Sequence, residues 1–168
     1  KTIAFINPRA ISAGALISLA SEHIVMVEGG TIGAATAVDL QGKKASEKII
    51  SYFRGEMKAT AEKRGRSTEL AEAMVDEDVE VEELAPKGKL LTLTTEEAIE
   101  QEMADFKVSA TEKGDKLQDV LKFYEFGDAR IYHQSENWAE RLVRVLTHPY
   151  LASLLMSLGF LGLIFEIQ

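Results

Sequence analysis

Apolar and polar positions sort the chain into short strands, helices and one closing apolar run. Residues 2–6, "TIAFI", and 23–27, "HIVMV", are apolar segments of strand length. Between them, Asn7, Pro8 and Arg9 predict a turn, and the small, apolar residues that follow predict a helix from about Ser12 to Ala20. Strand, helix, strand is a βαβ unit, and such units build parallel sheets. The next stretch, "EGGTIGAAT", has three glycines, which suit a tight loop or a backbone pressed close against a neighbour.

Ser46 is placed to cap a long helix that carries Ile49, Ile50, Phe53 and Met57 on one side and runs to about Lys63. "RGRS" ends it, and Ser67 or Thr68 starts another helix through Val75. "DEDVEVEEL" predicts a solvated acidic stretch, and "KGKLLTLT" a hairpin or edge strand. Thr94, Thr95, Glu96 and Glu97 form a capping box for a helix with Ala98, Ile99 and Met103. A short strand at Phe106 to Val108 and a helix from about Asp115 to Phe123 complete a compact unit.

Residues 125–137 predict a linker with one strand, "ARIYH". In "NWAERLVRVL", Trp138, Leu142, Val145 and Leu146 make an apolar stripe against Glu140, Arg141 and Arg144. Such a helix suits either a bilayer surface or the flank of the globular unit. After His148 and Pro149, the run from Leu151 to Ile167 holds a single charge, Glu166, and as a helix is about 25 Å long, near the ~30 Å hydrocarbon core. A buried core helix has the same composition. Gly159, Gly162 and the lack of a polar stripe favour a membrane span. The expected organisation is a domain over 1–124, a linker and amphipathic helix over 125–147, and the start of a transmembrane region over 148–168.

Charge and composition narrow the chemistry. The net charge of −8 and the lack of a clustered Lys/Arg face with aromatics argue against nucleic acid and point to protein or peptide partners. No cysteine is present, which excludes disulfides, thiolate zinc sites and cysteine nucleophiles. The isolated histidines at 23, 133 and 148 predict no metal site, and no cofactor is expected. An apolar strand at the very start, without an initiator methionine or signal peptide, reads as a piece of a longer chain.

Ser12 is the residue with two readings. At a helix N-terminus it is an ordinary cap, or a nucleophile whose oxyanion is met by unpaired amides and the positive end of the helix dipole. A serine nucleophile needs a base. His23 has nothing to place it near the hydroxyl. A lysine kept neutral by an apolar pocket is the alternative, and Lys43, Lys44 and Lys48 are the candidates. Lys48 differs in being followed by "IISYF", which anchors its helix, although a first-turn lysine is ordinarily a solvated charge.

"RAISAGALISLASEHIVM", "GGTIGAAT", "EKIISYFRGEMKATAEKRGRS" and "LLTLTTEEAI", in that order, resemble the second half of the protease domain of NfeD-type membrane-bound serine proteases, the Clp-protease-class partners of the stomatin operon. "NWAERLVRVLTHPYLASLLMSLGFLGLIFEIQ" resembles the join between that domain and the first membrane helix of longer members. The resemblance implies an α/β Clp protease/crotonase-like spiral of βαβ units with its N-terminal half missing, followed by an amphipathic helix and a transmembrane helix. It implies Ser12 as nucleophile, Lys48 as general base and the Ala13 amide as one oxyanion donor. It further implies cleavage of apolar segments, a stomatin- or prohibitin-like membrane protein as substrate or partner, a homo-oligomer, and a membrane location with the protease domain outside the cytoplasm. The family's earlier half, with a glycine pair that supplies the other oxyanion donor, is absent from these residues. Glu102 stands where the family tends to end a helix with glycine.

The missing half motivates an alternative, a non-catalytic membrane scaffold that binds a stomatin- or prohibitin-like protein. A crotonase-like acyl-CoA enzyme is disfavoured because no acidic residue lies near Ser12 in the sequence.

Overall fold

In a computed structural model, which describes residues 1–39, 41–109, 116–132 and 135–167, the first apolar segment is strand β1 (Ile3–Ile6). Asn7 and Pro8 make the turn, but Arg9 does not belong to it: Arg9–Ile11 is a second strand, β2, and α1 (Ala13–Ala20) follows. The helix thus starts one residue later than expected, and a strand was hidden in the turn. "HIVMV" is β3 (His23–Val27), and the glycine-rich stretch contains β4 (Thr31–Gly33) where a loop is one of two expectations. Both unforeseen strands are three residues long and too short to show a period of two. They form because they pair with each other in parallel, Ala10 opposite Ile32 and Ile11 opposite Gly33.

The long helix α2 (Glu47–Lys63) stands where patterning places it, and the helix α3 (Thr68–Ala73) starts where expected but ends two residues short of Val75, with the Ser67 hydroxyl accepting from the Leu70 amide. β5 (Thr92–Thr94) pairs antiparallel with β4 as an edge strand, and α4 (Thr95–Glu100) begins at the expected capping box of Thr94 and Glu97. β6 (Phe106–Val108) and α5 (Lys116–Phe123) complete the first unit. Its strands form two three-stranded sheets, ordered β1-β3-β6 and β2-β4-β5. β3 is central in the first, parallel to both neighbours. Its side chains alternate between two cores, Ile24 and Met26 with the large cluster, Val25 and Val27 with Val108 and Val120.

The chain divides into two compact units, Lys1–Asp128 and Ala129–Gln168. The second holds α6 (Trp138–Leu146), capped by Asn137 and Glu140, and α7 (Pro149–Ile167). The strand expected in "ARIYH" is not formed over residues 129–132, and His133 lies outside the described residues.

The acidic stretch departs from a solvated face at its first residue. Asp78, Glu80, Glu82 and Glu83 are exposed, whereas Asp76 is 2% exposed and pairs with Arg54 of α2. Its other oxygen accepts from the Asp78 amide at 3.1 Å. A buried carboxylate requires a cation and further hydrogen bonds, and a residue beyond α3 is thereby tied to α2.

Glu102 explains its own departure. The amide of Met103 donates to Ala98 at 2.8 Å and that of Glu102 to Ile99 at 3.1 Å, the two bonds of a Schellman ending, with Glu102 at φ 55°. A Cβ is strained there. Glu102→Gly is expected to raise unfolding stability by about 1 kcal/mol, read as an increased urea midpoint at unchanged m-value.

Candidate active site

β2 and α1 meet at a single residue, Ser12, which must reverse the chain between them. It does so at φ 55°, ψ −126°, a region costly for any residue with a Cβ and characteristic of strained functional turns from strand to helix. The Ser12 amide donates to the carbonyls of Gly33 at 3.3 Å and Ala34 at 3.2 Å, which holds the turn against the end of β4. The cap reading fails on geometry, because the hydroxyl makes no cap hydrogen bond and the backbone lacks the extended conformation of a cap. Ser12 is exposed, with no side-chain hydrogen bond among the described residues.

The amides of Ala13 and Gly14 likewise have no partner among the described residues, and no acidic side chain occupies the first turn of α1. Unpaired amides and the positive end of the helix dipole therefore face whatever approaches Ser12. At the other end of α1, Arg64 donates to Ala20 at 2.7 Å, and Arg66 donates to Leu19 at 3.1 Å, Ser21 at 3.0 Å and Glu22 at 3.2 Å. Burial lowers the Arg66 pKa, opposed by Asp105 at 3.6 Å, and a guanidinium remains charged at neutral pH. "RGRS" thus does more than end a helix: it ties the corner between α2 and α3 to α1.

Ser12 and Ala13 open onto a cavity of about 550 Å³. Leu16, Ala35, Ile49, Phe53 and Met57 give it an apolar wall, so α2 supplies one side and α1 the other. Met57 is fully buried, and Ile49, expected in the helix's apolar stripe, instead lines the cavity at 44% exposure. Thr36 also lines it, and its buried hydroxyl has no hydrogen-bond partner among the described residues. That residue was not singled out by sequence patterning, because an unsatisfied hydroxyl has no sequence signature.

Of the three lysines, Lys44 lines the cavity, but its amine donates to Glu77 at 2.7 Å and that bond raises its pKa. An amine held protonated cannot accept a proton from serine. Lys48 is exposed on the first turn of α2, between Ser46 and Ile49, which line the cavity while Lys48 itself does not. Lys43 is exposed in the preceding loop. His23 opens β3 beyond α1, whose eight residues span about 12 Å, and it lies 3.7 Å from Asp105 and against the Tyr124 ring. No group of three metal-ligating side chains occurs among the described residues.

The family model for the NfeD1b N-terminal domain matches residues 1–134. The chain is 40% identical over 165 residues to the membrane protein NfeD1b of Bacillus subtilis (strain 168), covering 98% of this chain and 36% of that protein. It is 26% identical over 170 residues to the membrane-bound protease PH1510 of Pyrococcus horikoshii, covering 92% of this chain and 36% of that protein. The chain thus spans about a third of the length of these relatives. Among solved structures, a serine-to-alanine mutant of the 1510-N membrane-bound stomatin-specific protease is 28% identical with a TM-score of 0.54, over 71% of this chain and 53% of that one. A lysine-to-alanine mutant of the same protease, in complex with a substrate peptide, shares the fold with a TM-score of 0.61 at 23% identity, over 86% of this chain and 69% of that one.

The strain at Ser12 is measurable without any assay of activity. Ser12→Gly is expected to stabilise the fold by about 1 kcal/mol and Ser12→Ala to leave it nearly unchanged, both read by urea denaturation. Gly33→Ala should have the opposite sign: at φ 142° an added Cβ would meet the Leu91 carbonyl oxygen at 2.4 Å. A loss of about 3 kcal/mol is expected in the same measurement.

Proposed function

The chain belongs to the NfeD1b family, and on that footing we propose that it carries the nucleophile half of a membrane-anchored serine endopeptidase that cleaves apolar segments of stomatin- or prohibitin-like membrane proteins. The observation that carries the proposal is Ser12 itself: a strained, uncapped serine between strand and helix, opening onto an apolar cavity beside unpaired amides. Two membrane-named relatives and α7, a helix long and apolar enough to span, support the membrane location. In this reading the two sheets belong to a Clp-like spiral of βαβ units, the protease domain lies outside the cytoplasm, and the working form is a homo-oligomer.

The reaction runs through an acyl-enzyme. Ser12 Oγ attacks the carbonyl carbon of the scissile peptide while its proton passes to Lys48 Nζ. The oxyanion of the tetrahedral intermediate accepts from the Ala13 amide, which is unpaired and needs no rearrangement. Collapse breaks the C–N bond, the Lys48 ammonium protonates the leaving amine, and a water deprotonated by Lys48 then releases the acid.

The exposure of Lys48 favours one other reading, a non-catalytic scaffold that binds the same class of partner without turnover. Cleavage of an apolar peptide by a full-length form separates the two. Ser12→Ala and Lys48→Ala are each expected to lower kcat/KM about 10³-fold or more while peptide binding persists, and the wild-type rate should rise toward alkaline pH. Undiminished cleavage in either variant refutes the dyad, and binding without turnover in the wild type establishes the scaffold.

A further inference from the structure

α6 has an exposed apolar face. Viewed down the helix at 100° per residue, Trp138, Ala139, Leu142, Val143, Val145 and Leu146 occupy one continuous arc of about 160°, and Glu140, Arg141 and Arg144 the opposite side. Every residue of the helix is exposed, including Trp138 at 78%, Val143 at 58% and Leu142 at 49%. A soluble helix with this contrast hides such a face.

The position of α6 in the chain says what covers it. Only Thr147 and His148 separate Leu146 from Pro149, the first residue of α7, so the end of α6 lies within about 11 Å of the start of α7. α7 has 19 residues, about 28 Å of helix, and its candidate span Pro149–Glu166 is not buried at all. Where α7 crosses a bilayer, α6 must therefore begin its course at the headgroup layer.

We propose that α6 lies in the plane of the bilayer interface, its apolar arc among the upper acyl chains, and that apolar burial rather than charge holds it there. This rests on the reading of α7 as a span. The charges argue for the second clause. Arg144 pairs with Glu136, and Glu140 belongs to the cap with Asn137, so residues 136–146 carry two acidic and two basic side chains and no net charge. Zwitterionic and anionic lipids should bind it alike, and salt should not release it.

Trp138 is the sole tryptophan of the chain and lies at the end of α6 farthest from α7, which makes it a direct reporter. Were α6 to rise into water, Trp138 would stand about 12 Å above the helix's other end. The test is reconstitution of the 168-residue chain into phosphatidylcholine vesicles, with flotation to establish anchoring and nitroxide-labelled lipids to measure tryptophan depth. The expected result is a blue-shifted emission quenched more strongly by a label near the headgroup than by one at mid-chain. It should be equal in phosphatidylglycerol vesicles and unchanged by high salt. Leu142→Asp with Leu146→Asp should restore water-like emission while the chain still floats, and Arg141→Gln should leave quenching intact. Flotation without lipid quenching overturns the proposal, as does blue-shifted emission that lipid labels do not reach, which marks a protein-covered face. Quenching confined to anionic or low-salt conditions overturns the charge-independent docking, and a chain that does not float overturns both α7 as an anchor and α6 as an interfacial helix.

Discussion

The structure of the first unit depends on how closely β4 approaches its neighbours at Gly33. β5 runs so near that a Cβ there would collide with the Leu91 carbonyl oxygen, and β2 pairs on the other side through Ile11. That three-strand packing sets where the carbonyls of Gly33 and Ala34 point, and those carbonyls capture the Ser12 amide. The unfavourable backbone of Ser12 persists because the sheet on one side and α1 on the other over-determine it. Ala34 N donating to Leu91 and Ala35 N to Met74 carry the same restraint into the wall of the cavity.

α1 is held at both ends, by the β4 carbonyls at its start and by Arg64 and Arg66 at its finish. A short helix of small residues has little side-chain surface of its own with which to resist tilting, and Ala15 and Leu19 are its principal buried apolar contacts. The arginine bonds to the final carbonyls satisfy acceptors that would otherwise be orphaned and complement the negative end of the dipole. α2 is fixed in turn by Ile50, Met57 and Ala61 in the core and by Arg54 on Asp76. The cavity between two helices so restrained is a shaped apolar space, and the Ser12 hydroxyl stands at its edge, at the junction of β2 and α1.

The second unit is built of two helices with contrasting apolar patterns. α7 has no polar stripe, the pattern of a candidate membrane span, and α6 has a sharply divided one, which in sequence suits either a bilayer surface or the flank of a globular unit. The cap of α6 is nonetheless that of a soluble helix: Asn137 and Glu140 satisfy its first amides, as Thr94 and Glu97 do for α4.

Helix starts, the two longer strands and the apolar closing run were legible in the sequence because caps and periodicity are local. Ser67, Thr94 and the stripe of Ile50, Phe53 and Met57 needed no partner to be seen, and the resemblance around Ser12 and Lys48 pointed to the candidate chemistry. Tertiary structure alone decided the rest. β2 and β4 exist only as each other's partners, Asp76 is buried only because Arg54 reaches it, and Lys44 is set apart from Lys43 and Lys48 by a glutamate 33 residues away. The choice at Ser12 between cap and strained turn also required the fold, because a positive φ is imposed by distant carbonyls and leaves no mark on the residue that adopts it.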